Sequence, residues 1–224
     1  FKSLIRNSAH ETKPHAAKKN LELNFGNSGT LARLMIGILS TTPGIEVKLT
    51  GDHSLKKRSM KKIINIMSEF GAFFLPKNKF KLPLKLISSE MPLGITYDAG
   101  VSAQLKSAVI LAGLNSYGNT QITEKLRSRD HTENMLIRNK RSIKIINKKN
   151  KIIKIFGKNY LEPLTINVPG DPSSAAFFTA LTLLNKKSFL KIKNVGLNKT
   201  RIGFYTLLKK FGANINFKNL KKKS

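Results

Sequence analysis

Ser102-Ala103-Gln104-Leu105-Lys106-Ser107-Ala108-Val109-Ile110-Leu111-Ala112-Gly113-Leu114 is a capped helix start followed by a run that is apolar nearly all round. A hydroxyl ahead of such a run satisfies a free N–H of the first turn. A helix with so little polar face is buried, so its N-terminus is the part left to meet solvent or ligand. The same design occurs twice more: Asn27-Ser28-Gly29-Thr30 opens Leu31–Leu39, and Asp171-Pro172-Ser173-Ser174 opens Ala175–Leu184. The three openings, at 27, 102 and 171, are 75 and 69 residues apart. A more amphipathic helix follows each one. Leu55–Phe70 carries Met60, Ile63, Ile64, Met67 and Phe70 on one face; Arg129–Arg138 is shorter; Arg201–Phe211 is the third. Two of these end alike, in Phe70-Gly71-Ala72 and Phe211-Gly212-Ala213, with glycine where a helix stops.

Short β-branched runs fill the intervals: Ile45–Leu49, Leu84–Ile87, Ile95–Tyr97, Thr120–Thr123, Ile143–Ile146, Ile152–Phe156, Leu164–Val168, Phe189–Ile192 and Ile215–Phe217. The unit is therefore strand, helix, strand, helix, strand, repeated at 70-odd residues, with partial copies at both ends. This argues for α/β layers and against a helical bundle. Several buried helices aimed at one point would pool their positive dipole ends and free N–H groups into an anion site.

Composition narrows the chemistry. The 224 residues are 40% hydrophobic and 24% charged, enough apolar material for a core. No apolar run reaches the roughly 20 residues of a membrane helix. With no Cys there is no disulfide, thiolate metal site or cysteine nucleophile. His10, His15, His53 and His131 show no metal-ligand spacing. The net charge is +29, from 41 basic and 12 acidic residues, yet only 8 of the basic residues are Arg. A nucleic-acid surface recruits Arg for bidentate phosphate contacts and aromatics for stacking. Dispersed Lys alongside many Asn and Ile reads instead as an A/T-rich coding sequence combined with a small anionic substrate.

Four stretches carry candidate chemistry. In Asn27-Ser28-Gly29-Thr30, Gly29 admits a ligand to the backbone at a helix mouth; alone, the stretch also reads as a capped turn. In Gly51–Met60, Ser54 is the expected N-cap, placing Arg58 one turn into a helix, where its guanidinium can clamp a carboxylate or phosphate. With Lys56, Lys57, Lys61 and Lys62 it also reads as a solvated face. Val101–Ser107 and Ser128–Glu133 again set hydroxyl and amide groups at helix mouths, or simply cap them.

Together these strings are more specific. Asn27-Ser28-Gly29-Thr30 with Arg33-Leu34, Gly51-Asp52 with Ser54-Leu55 and Arg58, Val101-Ser102-Ala103-Gln104 with Lys106-Ser107-Ala108, and Ser128-Arg129-Asp130-His131-Thr132-Glu133 with Met135-Leu136 occur in this order and spacing. They closely resemble the 3-phosphoshikimate 1-carboxyvinyltransferase family, also called 5-enolpyruvylshikimate-3-phosphate synthases. Val168-Pro169-Gly170-Asp171-Pro172-Ser173-Ser174-Ala175-Ala176-Phe177 is similar to that family's crossing into its second domain. The resemblance runs from about Leu23 to about Phe217.

It implies an α/β (α+β) fold of repeated βαβαββ units around buried parallel helices, an inside-out barrel of the enolpyruvyl transferase type, incomplete in this chain. Residues 1–168 would be the first domain without its start and 169–224 the beginning of the second. The implied reaction moves the enolpyruvyl group of phosphoenolpyruvate onto the 5-hydroxyl of shikimate 3-phosphate, without metal or organic cofactor. Gly29, Arg58 and Gln104 would meet phosphoenolpyruvate; Ser102, Ala103, Gln104 and Ser128 would hold shikimate 3-phosphate. Ala103 stands where many members have a second Ser, leaving only its N–H. Ser59 stands where Pro is usual, loosening the turn after Arg58.

Lys2-Ser3-Leu4-Ile5-Arg6 lies at the wrong distance from Asn27 to be the family's opening lysine motif. The second-domain Asp, Glu, Lys and Arg would fall after Ser224, so no catalytic acid or base is expected within this chain, which alone should be inactive. The family expectation is a cytoplasmic enzyme, a monomer at full length, with no nucleic-acid or membrane partner. Two rivals remain. A related transferase acting on a UDP-amino sugar ordinarily needs a cysteine, and Ser128–Glu133 fits the shikimate branch better. The other is a basic nucleic-acid-binding module.

Overall fold

The computed structural model describes residues 21–220; His10, His15 and the segment Lys2–Arg6 lie outside them. Two units have the same plan. The first runs β1 (Leu21–Asn24), α1 (Gly29–Ser40), β2 (Glu46–Thr50), α2 (His53–Lys57), α3 (Lys61–Glu69), β3 (Phe73–Leu75) and β4 (Leu84–Ile87). The second runs β5 (Thr96–Ala99), α4 (Ala103–Asn115), β6 (Asn119–Glu124), α5 (His131–Leu136), β7 (Ile143–Asn147) and β8 (Lys151–Phe156). Each builds a four-stranded sheet, ordered β1-β2-β4-β3 and β5-β6-β8-β7. In both, the first pair is parallel and the rest antiparallel. The parallel pair requires a crossover helix, and α1 and α4 supply it.

Between the sheets lies one core, with Ile36 on α1, Ile63 and Met67 on α3, Val109 and Ile110 on α4, and Leu49, Leu86, Ile122 and Ile153 on strands. α1 and α4 pack parallel and in register. Near their starts, Gln104 Nε2 donates to Thr30 Oγ1 at 2.7 Å. At mid-length, a Cβ on Gly37 would lie 2.6 Å from the Ala108 carbonyl oxygen. At their ends, Asn115 Nδ2 donates to the Thr41 carbonyl at 2.5 Å and to Thr42 Oγ1 at 3.2 Å. Glycine at 37 lets the backbones touch, and both N-termini emerge side by side.

Three expectations need correction. Leu55–Phe70 is not one helix. Asp52, not Ser54, caps α2, its Oδ1 accepting from Leu55 N at 2.7 Å. Arg58 is extended, at φ −76° and ψ 137°, and the Met60 amide donates to the Phe80 carbonyl at 2.7 Å. That tertiary bond breaks the helix between Arg58 and Lys61. The second correction concerns Leu164–Val168, Phe189–Ile192 and Ile215–Phe217, which form no strands; the region holds only a parallel bridge between Gly170 and Val195. β-propensity expresses packing on a half-buried surface, and Val168 and Phe189 are 86% and 88% exposed. Third, α6 (Pro172–Leu184) buries only Pro172 and Ala175, whereas α4 is buried along most of its length. α7 (Gly203–Lys210) follows α6.

The matching triplets do share one geometry. Gly71 and Gly212 have φ +92° and +88°. In each case the glycine N–H and that of the following alanine close back on the last turn, Gly71 to Ser68 and Ala72 to Met67, Gly212 to Lys209 and Ala213 to Leu208. This paired closure is the Schellman cap. No described helix is long and apolar enough to cross a membrane.

Candidate functional site

The paired starts of α1 and α4 carry most of the expected residues. Ser28 caps α1, accepting from Leu31 N at 3.1 Å, and Ser102 caps α4, accepting from Leu105 N at 3.4 Å. The first N–H groups of two parallel helices thus face the same way, and their partial positive charges add. Two guanidinium groups reinforce them. A Cβ on Gly29 would stand 2.8 Å from Arg33 Nη1 and 3.1 Å from Arg58 Nη1.

Arg33 Nη1 donates to the Gly29 carbonyl at 2.9 Å and to Gln104 Oε1 at 3.2 Å. Gln104 is thereby fixed at both ends of its amide, by Arg33 and by Thr30. Arg58 Nη2 donates to Asn27 Oδ1 at 3.1 Å, and Asn27 Nδ2 donates to Asp52 Oδ2 at 2.7 Å. The Asp52 carboxyl lies below its ordinary range, first because the Leu55 N–H donates to it and then because Asn27 does. Burial, followed by the nearby Arg58 charge, presses the Arg33 pKa downward. Two cations at a pair of helix N-termini suit a multiply charged anion.

Gly29, Arg58 and Gln104 therefore come together with Ser102 and Ala103, which open α4. Ser128 lies on the loop between β6 and α5. Both its N–H and its hydroxyl donate to Glu124 Oε1, at 2.8 and 2.6 Å. Ser59 Oγ accepts from the Lys61 amide at 3.3 Å, so serine partly caps the restarted helix.

Sequence reasoning gave no role to Arg33, which bridges Gly29 and Gln104. Its signal was available, since a helical residue four after Gly29 lies on the same face. Also missed was a buried cluster of Lys106, Glu124, Glu133 and Lys151, each 6% exposed or less. The signal there was Lys106 itself, a charge inside an otherwise apolar helix.

Replacing Gly29 with Ala is expected to leave the fold intact, since the atoms it meets are ends of flexible side chains. It should displace both guanidinium groups and weaken the binding of a phosphate-bearing carboxylate anion at the helix starts by about tenfold, the size of one charge-assisted hydrogen bond. Calorimetric titration of the parent and G29A chains checks this; equal affinities would show that no ligand approaches Gly29.

The sequence model of the family described as EPSP synthase (3-phosphoshikimate 1-carboxyvinyltransferase) matches residues 2–223. The chain is 42% identical over 205 residues to a 3-phosphoshikimate 1-carboxyvinyltransferase of Aquifex aeolicus, covering 90% of this chain and 47% of the relative. With the enzyme of that name from Jannaschia sp. it shares 39% identity over 199 residues, 88% of this chain and 44% of the relative. Among solved structures, EPSP synthase from Acinetobacter baumannii superposes with a TM-score of 0.71 at 37% identity, over 87% of this chain and 44% of that one. The chain thus spans just under half the length of the relatives it matches.

Proposed function

This chain belongs to the EPSP synthase family, and we propose that it forms the substrate-positioning half of an enzyme transferring the enolpyruvyl group of phosphoenolpyruvate to the 5-hydroxyl of shikimate 3-phosphate. The observation that carries this reading is the Gly29–Arg33–Arg58–Gln104 group at the joined starts of α1 and α4. Both substrates are multiply anionic, and this group offers fixed positive charge, free helix N–H groups and an oriented amide. Gly29, Arg58 and Gln104 meet phosphoenolpyruvate; Ser102, the Ala103 N–H, Gln104 and Ser128 meet shikimate 3-phosphate.

In the reaction the 5-hydroxyl oxygen bonds to C2 of phosphoenolpyruvate and gives up its own proton to a base, while C3 takes a proton from an acid and becomes a methyl group. The tetrahedral intermediate then loses a proton from that methyl group and expels phosphate, restoring the double bond on the transferred group. This chain's part is electrostatic. Negative charge grows on the phosphate oxygens as the C2–O bond breaks, and donors preorganised at the helix starts need no reorganisation as the barrier is crossed. Gln104, fixed by Arg33 and Thr30, keeps the two substrates in register. No metal or organic cofactor enters this scheme, and the acid–base groups are not among the side chains at the helix starts. The finer architecture we propose is the inside-out barrel of βαβαββ units, with a domain boundary after residue 168. In its support, β8 closes the second sheet at Phe156 and the next element begins only at Pro172. A cytoplasmic, monomeric enzyme without nucleic-acid or membrane partners completes the reading.

The test is titration of the 224-residue chain with shikimate 3-phosphate. Binding is expected, weakened about 3-fold to 10-fold in Gln104→Ala, the range of one neutral hydrogen bond. A parallel gel-shift titration with DNA should show no complex at physiological salt. DNA binding that falls steeply with salt, without response to shikimate 3-phosphate, would favour a nucleic-acid module instead.

A further inference from the structure

Asp52 reaches Arg58 through an intermediary. The parallel pairing of β1 with β2 continues past the ends of both strands. Phe25 N donates to the Thr50 carbonyl at 3.0 Å, and Asp52 N donates to the Gly26 carbonyl at 2.9 Å. A Cβ on Gly51 would lie 2.9 Å from that same Gly26 oxygen, so glycine lets the two loops run in contact. This sets the Asn27 side chain beside Asp52, whose carboxylate is divided between two tasks. Oδ1 caps α2 by accepting from Leu55 N, and Oδ2 accepts from Asn27 Nδ2, both at 2.7 Å. Asn27 Oδ1 then accepts from Arg58 Nη2 at 3.1 Å, while Arg58 Nη1 faces Gly29.

The chemistry of the two ends leaves the amide no choice. An ionised carboxylate only accepts and a guanidinium only donates. The Asn27 amide between them therefore has one orientation, its NH2 on Asp52 and its carbonyl oxygen on Arg58. Among the described residues the acceptors of Arg58 Nη2 are this amide and, at 3.5 Å, the Ser54 hydroxyl. Both are neutral, so they orient the guanidinium without cancelling its charge. A carboxylate in direct contact would hold Arg58 as firmly but would compete with an anionic ligand. Interposing Asn27 separates the two effects.

We propose that Asp52 is a positioning residue of the phosphoenolpyruvate side of the site, fixing Asn27 so that Arg58 keeps its guanidinium against Gly29 with its charge free for the ligand. The inference rests on the functional reading above and adds to it a residue of the ligand's own sign. A carboxylate acting only through its field would repel an anionic ligand, so removing it would tighten binding. A carboxylate acting through Asn27 makes the same removal weaken binding. Asp52 and Asn27 are both exposed, where water and salt screen the field, so the loss of positioning prevails.

The experiment titrates the 224-residue chain with phosphoenolpyruvate at physiological salt. Asp52→Ser keeps an N-cap of equal quality for α2, and its one oxygen is committed to that cap. Thermal unfolding should therefore match the parent, while phosphoenolpyruvate binds about 3-fold to 10-fold more weakly. Asp52→Asn, which keeps cap and volume and loses the charge, is measured beside it and should shift binding in the same direction. Asn27→Ala should weaken binding by a similar factor, and adding Asp52→Ser to it should cost nothing further. A purely structural role for Asp52 would move the unfolding midpoint and leave no such coupling. Tighter or unchanged binding by the folded Asp52 variants would overturn the positioning role, as would full additivity with Asn27→Ala. Nitrogen NMR of the Arg58 guanidinium reads the relay without a ligand: its rotation should be restricted in the parent and freed by Asp52→Ser. A parent that binds no phosphoenolpyruvate while Arg58 is restricted in this way would overturn the functional reading, and with it any ligand role for Asp52. A parent that binds the ligand, with Arg58 signals unmoved by Asp52→Ser, would overturn the inference alone. Failure of both measurements would overturn both.

Discussion

Lys106→Met is expected to lower folding stability by about 3–5 kcal/mol, the usual cost of removing one partner from a buried ion pair. Methionine fills nearly the same volume, so the loss is electrostatic. Glu124 and Glu133, both fully buried, would be left with Lys151 as their one close cation, and that cation already sits 3.7 Å from Glu124. The outer oxygens Glu124 Oε2 and Glu133 Oε2 have no hydrogen-bond donor, and the Ser128 amide and hydroxyl that remain on Glu124 Oε1 carry no charge to replace the lost ammonium. Adding Glu124→Gln restores neutrality and should recover most of the loss. Lys48, which meets Glu22 at 3.0 Å with both side chains about half exposed, is the contrast: Lys48→Met should cost at most about 1 kcal/mol. Urea unfolding at constant slope separates the three variants. A K106M midpoint within experimental error of the parent would mean that water reaches the cluster.

The cluster also fixes a pH direction. Burial pushes the Glu124 carboxyl up, but hydrogen bonds from Lys106 and from the Ser128 hydroxyl and amide outweigh it, and the net value is below the ordinary one. Its stabilisation is therefore present above the normal carboxylate range and is lost as pH falls through the lowered folded value. In Lys106→Met one of those donors is gone, so this loss should begin at a higher pH. Stability measured across the acid range follows it.

How far the sequence spoke for itself varies by element. The repeat was legible because capping serines and all-round apolar helices are local signals, and two sheets of identical strand order answer to it. Phe70-Gly71-Ala72 and Phe211-Gly212-Ala213 were legible for the same reason, since a left-handed glycine closes the helix whatever packs around it. The break at Arg58–Met60 was not, because it depends on the Phe80 carbonyl, twenty residues away along the chain. Leu164–Val168 and Phe189–Ile192 have strand composition, yet composition does not supply a paired neighbour. At the site, Gly29, Ser102 and Gln104 could be named from motif order. The bond between Arg33 and Gln104 spans 71 residues and depends on the register of α1 against α4. Lys106 was visible but unread, because its two carboxylates come from elements whose mutual placement only the sheet decides.

That register has its own test at Gly37. In an isolated helix, alanine would be favoured over glycine by about 1 kcal/mol. Here the new Cβ would lie 2.6 Å from the Ala108 carbonyl oxygen and 3.1 Å from its carbonyl carbon. These are backbone atoms of a buried helix, which cannot rotate aside as a side-chain tip can. Overpacking of this kind costs about 1–3 kcal/mol, so Gly37→Ala should be net destabilising despite its propensity gain. Gly37→Val, with two more methyl groups and poorer helix propensity, should cost more. Gly100 has open space where a Cβ would go, and Gly100→Ala should be close to neutral. The functional consequence follows from geometry. Forcing α1 and α4 apart stretches the Gln104–Thr30 and Arg33–Gln104 hydrogen bonds and separates two helix starts whose fields now add. On the proposed function, Gly37→Ala should therefore weaken shikimate 3-phosphate and phosphoenolpyruvate together, even at a temperature where the variant is fully folded. Thermal unfolding and titration of the same samples decide the matter. Undiminished stability would show that the helices have slack at Gly37, while lost stability with parent-like binding would show that the anion site does not depend on how closely the two helices pack.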